Sequence, residues 1–179
     1  MQLSRMKSAI PFHVLSTVRK QYRSKKIVFA SGCFDITHTG HVLFFEDCKK
    51  QGDILVVAVS PDKMVSQYKK GRPVLNEQLR LHMVASLKPV DYCFIHPNVT
   101  FASTDEMIVK LCDDIFPKLK PDVYVINTDA ASIPARRKLV ECYPGMTLRV
   151  LKRTAPKKFE KVSTSGIIKK IQKLPKATS

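Results

Sequence analysis

Two imidazoles three residues apart, His38 and His41, stand in the segment Ser31-Gly32-Cys33-Phe34-Asp35-Ile36-Thr37-His38-Thr39-Gly40-His41. Ahead of it, Ile27–Ala30 is apolar and bounded by Ser31-Gly32, which reads as a buried strand. Behind it, Val42–Lys50 carries a helical pattern closed by Gly52. The segment is therefore a strand-to-helix junction. A helix N-terminus presents unpaired N–H groups and the positive end of the helix dipole, and both favour an anion. Two histidines at that point can donate hydrogen bonds to phosphate oxygens. They act most strongly where charge builds during phosphoryl or nucleotidyl transfer. Gly40 lets backbone come close to a bound group. A loop histidine beside a cap residue would give the same two letters, but the strand-to-helix setting, with Gly-Cys-Phe-Asp ahead, favours the phosphate site.

The elements that must position this junction follow a regular alternation. Asp53–Ser60 contains a continuous apolar run, as expected of a parallel strand covered on both faces. Pro61-Asp62 opens a short helix, Lys69–Pro73 is a loop, and Asn76 caps a helix to about Leu87 with Leu79, Met83 and Leu87 at helical spacing. Val90–Ile95 reads as a strand, Thr104 or Asp105 to about Phe116 as a helix, and Asp122–Ile126 as a strand. Ala131–Cys142 then reads as a helix, Thr147–Leu151 as a strand, and Gly166–Leu174 as a last helix capped by Ser163 or Thr164. This is the pattern of an α/β fold: a Rossmann-like, doubly wound parallel sheet of about five strands with flanking helices. In such sheets ligands bind beyond the carboxyl ends of the strands, where strand order reverses. The loop after the first strand should therefore carry the chemistry.

Composition bounds the rest. A chain of 179 residues suits one domain, and 44% apolar with 26% charged residues is ordinary for a globular protein. No apolar run approaches the roughly 18–20 residues of a membrane span, and the N-terminus lacks the apolar core of a secretory signal. The five cysteines lie far apart with no CxxC pair, which argues against a zinc site or a disulfide framework and for reduced thiols in a cytoplasmic setting. The formal net charge of +16 is uneven: residues 1–26 hold +7, residues 152–179 hold +8, and the middle only +1. Basic ends of this kind are solvated tails or contacts for an anionic partner such as nucleic acid or an acidic membrane. An acid-free N-terminus also has some likeness to an organelle transit peptide. We divide the chain into a basic, partly helical extension (1–24), a catalytic domain (25–174) and a tail (175–179).

The run GCFDITHTGH resembles the signature of the cytidylyltransferase-like nucleotidyltransferases. That superfamily includes glycerol-3-phosphate and phospholipid-precursor cytidylyltransferases and heptose-1-phosphate adenylyltransferases. Three further segments resemble it in the right order: Lys70-Gly71-Arg72-Pro73 with Asn76–Arg80, then Pro89-Val90-Asp91, then Ser163–Ile168. The resemblance covers roughly residues 18–173. It implies that His38 and His41 contact the triphosphate and steady the transition state, with Lys70 as a catalytic cation. Gly32, Cys33, Phe34, Gly40, Arg80, Asp129, Arg153, Ser163 and Thr164 would bind the nucleotide. Asp35 and Lys69 fall on the substrate side, with Asp35 orienting the loop rather than acting as a base. Mg²⁺ would arrive with the triphosphate, without a dedicated protein cage.

The implied reaction moves a nucleoside monophosphate from a triphosphate to a phosphorylated sugar or polyol, releasing pyrophosphate. Lys25–His41 leans towards the adenylyltransferases and Arg153-Thr154 towards the cytidylyltransferases, so ATP is slightly favoured over CTP. The chain departs from the family at Val125–Ala130, where the glycines and an aromatic residue of the usual turn are missing. It also departs at Ala155–Val162, which separates Arg153 from Ser163. These departures leave the acceptor open. Relatives are often dimers, which makes a homodimer the expected assembly. The reading from another class is a nucleotide- or nucleic-acid-binding pseudoenzyme that uses its basic ends.

Overall fold

The computed structural model describes residues 8–97, 100–152, 159 and 162–175. Five strands form one wholly parallel sheet in the order β3-β2-β1-β4-β5: β1 (Ile27–Gly32), β2 (Ile54–Val59), β3 (Tyr92–Ile95), β4 (Val123–Asn127) and β5 (Thr147–Leu151). Seven α-helices accompany them among the described residues: α1 (Leu15–Gln21), α2 (Thr39–Lys49), α3 (Asp62–Tyr68), α4 (Glu77–Ala85), α5 (Thr104–Leu119), α6 (Ile133–Glu141) and α7 (Thr164–Gln172). The expected Rossmann-like arrangement is thus present.

Strand alternation divides the core in two. Ile27 and Phe29 point to one face, where they meet Leu15 of α1, Phe116 of α5 and Leu139 of α6. Val28 and Ala30 point to the other, against Phe45 and Cys48 of α2 and Leu81 and Val84 of α4. Both faces are covered, which is why the strands read as unbroken apolar runs. Helix α5 shows the sequence logic most clearly. Met107, Ile108, Leu111, Cys112, Ile115 and Phe116 recur at helical spacing and are buried, while the Ser103 side chain accepts the Glu106 amide at 3.2 Å to close the first turn.

Strand order reverses between β1 and β4: β2 and β3 are added on one side of β1, and β4 and β5 on the other. The β1–β4 register runs only through Val28–Val123 and Phe29–Tyr124, whereas β1 continues to Gly32 and β4 to Asn127. The carboxyl halves of these strands separate, and a crevice opens at the switch point.

Three readings of the sequence need adjustment. Helix α2 starts at Thr39, ahead of Val42, so both histidines belong to its N-terminal turn. Leu79 and Met83 face outward, and the buried face of α4 consists of Arg80, Leu81, Val84 and Ala85. An apolar stripe at i, i+4 was visible in the sequence, but the neighbouring turn positions won the burial. Finally, the boundary drawn between residues 24 and 25 does not coincide with a break in packing. Leu15 and Val18 are buried, the Cys93 amide donates to Ser8 O at 2.7 Å, and the Ile10 amide donates to Cys93 O at 2.9 Å.

Candidate active site

The loop after β1 is built around two local constraints. Gly32 has no side chain because a Cβ there would lie 3.0 Å from Cζ of Phe34. Phe34 and Ile36 adopt φ of 51° and 47°, a left-handed backbone that is rare for a bulky or β-branched residue and marks a loop held by its surroundings. The Asp35 carboxylate does much of the holding. It is buried and accepts from Arg72 Nε at 2.5 Å, the Val74 amide at 2.9 Å and the Leu75 amide at 3.0 Å. Burial alone would raise its pKa, but these donors outweigh burial and hold it below the ordinary carboxylate value. Both oxygens are thus committed to the 72–75 loop. Asp35 lines the inner lobe, and its carboxylate orients the loop after β1.

His38 is the N-cap of α2. Its Nδ1 accepts the Gly40 amide at 3.1 Å, and Nδ1 of His41 accepts the His38 amide at 3.4 Å, a reciprocal capping box made of two imidazoles. A neutral ring that accepts at Nδ1 carries its proton on Nε2. Capping through Nδ1 therefore favours the tautomer with its proton on Nε2. The rings stack with centroids 3.9 Å apart, and His41 meets Phe34 edge-on at 5.6 Å. A Cβ on Gly40 would lie 3.0 Å from Cε1 of His38 and 3.4 Å from Val162 O. Gly40 thus lets the His38 ring fold back over the helix end and the approach to α7 come close, beyond any role beside a ligand.

Helix α7 brings a second N-terminus to the same place. Ser163 caps it by accepting the Gly166 amide at 3.1 Å, and the Thr164 hydroxyl donates to Asp35 O at 2.8 Å. The positive ends of α2 and α7 are tied together through the Asp35 loop.

Two connected lobes lie over this junction. The outer lobe, ≈ 790 Å³, is lined by His38, Lys70, Ser163 and Lys169 among others. The inner lobe, ≈ 390 Å³, reaches down to Gly32, Cys33 and Phe34 on one side and Asn127 and Arg136 on the other. His41, Lys69, Arg72, Asp129 and Thr164 line both. Lys69 and Lys70 are exposed, and Lys69 Nζ lies 5.4 Å from the Tyr68 ring centroid. Burial pushes the Cys33 thiol up, which unsuits it as a nucleophile. Arg153 lies outside the described residues.

Arg80 is a correction. It is fully buried and lines neither lobe. Its Nε donates to Leu75 O at 3.0 Å, Nη1 to Cys33 O at 2.5 Å, and Nη2 to Ser60 O at 2.7 Å and Asp62 Oδ1 at 2.6 Å. Its fork joins the loops after β1, β2 and α3, and its described bonds all go to the protein. Arg72 and Arg136 also line the lobes, which the sequence does not lead one to expect. Arg72 stood in the quoted Gly-Arg-Pro loop and was passed over for the lysines beside it. Arg136 reads as one more charge on a helix and gave no signal.

A larger cavity, ≈ 860 Å³, opens at the amino ends of β4 and β5. Its Arg19 is consumed by Asp122 and by the carbonyls of Lys120, Tyr22 and Lys25. It lies away from the switch point and from both histidines. Among the described residues no group of three His, Cys, Asp or Glu side chains could hold a metal ion, and no helix is long and apolar enough to cross a membrane.

A doubly wound parallel sheet with two helix N-termini and two Nε2–H imidazoles over its switch point defines a protein that handles nucleoside phosphates. The cytidylyltransferase-like family model matches residues 29–170, and the chain belongs to that family of nucleotidyltransferases. It is 35% identical over 156 residues to the bifunctional protein HldE of Pseudomonas fluorescens, a match covering 86% of this chain and 29% of that protein. HldE of Desulfatibacillum aliphaticivorans is 36% identical over 122 residues, covering 68% and 21%. The chain thus spans less than a third of these curated relatives. A lipopolysaccharide core biosynthesis protein from Thermoplasma volcanium is 27% identical with a TM-score of 0.54, covering 74% of this chain and 98% of that one. The pantoate-beta-alanine ligase of Francisella tularensis is 14% identical with a TM-score of 0.61, covering 84% and 68%, and shares the fold.

Proposed function

We propose that this nucleotidyltransferase transfers AMP from ATP to the phosphate of a sugar phosphate. The observation that carries the reading is the convergence of the α2 and α7 N-termini with His38 and His41 on one lobe at the switch point. The likeness of Lys25–His41 to heptose-type adenylyltransferases and the similarity to HldE support ATP and a sugar phosphate.

In this reading the triphosphate lies in the outer lobe, with its β and γ phosphates at the α7 N-terminus and Ser163. An ionised phosphate oxygen of the acceptor attacks the α-phosphorus in line. The bond from that phosphorus to the bridging α–β oxygen breaks, and pyrophosphate leaves with the electron pair. The attacking oxygen already carries its charge at neutral pH, so no general base is required. Catalysis is positioning plus electrostatics. His38 and His41 donate Nε2–H to oxygens around the α-phosphorus, and Lys69 and Lys70 close over the phosphates as mobile charges. Mg²⁺ carried in with the triphosphate would neutralise part of the leaving charge. Asp35 is committed to the 72–75 loop, and such an ion would be held mainly by phosphate oxygens and water, with Asp129, which lines both lobes, as the protein carboxylate that would face it. A reducing, cytoplasmic compartment accords with five free cysteines, four of them buried.

The test is pyrophosphate release from ATP, CTP, GTP and UTP with Mg²⁺ and a panel of phosphomonoesters. ATP with a sugar phosphate should give the highest kcat/KM. A preference for CTP with a polyol phosphate would place the chain with the cytidylyltransferases instead. Silence with every pair, together with steeply salt-dependent nucleic-acid binding, would support the pseudoenzyme.

A further inference from the structure

The inner lobe ends on a cation that has no counter-charge among the described residues. Arg136 in α6 is 7% exposed. Its Nε donates to Ala131 O at 2.9 Å, and its guanidinium carbon lies 5.5 Å from the Tyr124 ring centroid. Its Nη1 has no hydrogen-bond partner, and no carboxylate lies within ion-pair distance of it among the described residues. The Tyr124 hydroxyl, also buried, is equally without a partner. Burial depresses the guanidinium's pKa, yet an arginine stays cationic at neutral pH. Removing such a charge from water is expensive, and one carbonyl and one aromatic face compensate for little of it. Arg80, equally buried, shows what a structural arginine looks like here: all three of its nitrogens donate to protein oxygens.

We propose that Arg136 binds the phosphate of the acceptor in the inner lobe, making it a specificity residue for phosphomonoester acceptors. This rests on the nucleotidyltransferase reading above. In-line displacement puts the attacking oxygen and the leaving pyrophosphate on opposite sides of the α-phosphorus. The pyrophosphate belongs to the outer lobe, where His38, Lys70 and Ser163 lie and Arg136 does not. The inner lobe is therefore left for the nucleoside and the acceptor. A nucleoside carries no charge for Arg136 to meet, whereas a phosphomonoester carries two. Its spare oxygens suit the planar fork of a guanidinium, and the attacking oxygen then faces His41 and Lys69, which line both lobes.

The experiment is titration calorimetry of the full chain saturated with α,β-methylene-ATP and Mg²⁺. The titrants are a hexose 1-phosphate, glycerol 3-phosphate and inorganic phosphate, and the variants are Arg136→Met and Arg136→Lys. At least one phosphomonoester should bind the wild type. Arg136→Met should weaken it about tenfold or more, with Arg136→Lys in between, while affinity for the ATP analogue changes less than about threefold. Ligand-free Arg136→Met should melt at or above the wild-type temperature, because an uncompensated buried charge has gone. The proposal is overturned if no phosphomonoester binds the wild type, or if Arg136→Met binds it unchanged. It is also overturned if phosphate and ATP analogue weaken equally, or if the ligand-free variant melts several degrees lower, which would make Arg136 a structural residue. Failure of the wild type to bind the ATP analogue would instead refute the proposed function, so the two failures are told apart.

Discussion

His38 performs two tasks with opposite ends of one ring. Nδ1 accepts the Gly40 amide and closes α2, which leaves Nε2 to donate. Substitution can separate the tasks. Asparagine is among the best N-caps, so His38→Asn should keep the melting temperature within about 2 °C. It should lower kcat about 10²-fold, because the outward donor is gone. Loss of fold with no separate loss of turnover would contradict the assignment. Arg80→Met should do the reverse. It strands the carbonyls of Cys33, Ser60 and Leu75, while Asp62 keeps access to water. The expected loss is roughly 3 kcal/mol, read as a fall of about 10 °C in thermal unfolding. The sequence displays the histidine pair because its chemistry is local: spacing, a glycine and a strand-to-helix setting. It does not distinguish Arg80 from a site arginine or Arg136 from a surface one. A guanidinium's role depends on which distant carbonyls surround it, and three separate loops supply those of Arg80.

At the scale of elements, the carboxylate of Asp35 fastens the loop after β1 to the loop after α3, and Thr164 fastens α7 to the same residue. Gly40→Ala should therefore disturb more than a turn. Its methyl group would press on the His38 ring, so KM for the triphosphate should rise together with a fall in kcat, measured by steady-state kinetics. Acid should weaken the fold over two successive pH ranges. His96 is buried; burial holds its pKa down, with Asp114 Oδ2 at 3.6 Å and the nearby backbone of Pro97 and Leu111 pulling the other way. A depressed histidine takes up its proton more readily when unfolded, so stability falls as pH drops below about 6.5 towards the folded-state value. Asp35 follows the same sign lower down: its contribution is complete above the ordinary value of 3.8 and is lost as pH falls through its depressed folded value. Urea titrations of wild type, His96→Phe and Asp35→Asn across pH 3–7 should flatten the loss over the first range in one variant and over the second in the other. The strands and most helices were legible because period and capping are local signals. The outward turn of Leu79 and Met83 was not, since an apolar stripe does not say which of two adjacent helix faces meets the sheet.

The whole molecule places its chemistry by topology. Strand order reverses at β1 and β4, the register between them stops after Phe29, and every group assigned to phosphate lies at the opening. That position followed from the β-α alternation alone. The packing of residues 8–22 did not, because their charge set them apart while Leu15 and Val18 joined the core. A triphosphate that binds this crevice should stabilise the entire fold, by about 2.7 kcal/mol at a hundredfold excess over Kd, in a thermal-shift series with ATP and Mg²⁺. The most direct test of the central claim is pyrophosphate release by the full chain given ATP, Mg²⁺ and a sugar 1-phosphate, compared with His41→Ala. Release should require both substrates and fall by at least about 10²-fold in the variant, with the fold intact. Release that His41→Ala leaves unchanged, or none from any triphosphate and phosphomonoester pair, would contradict that claim.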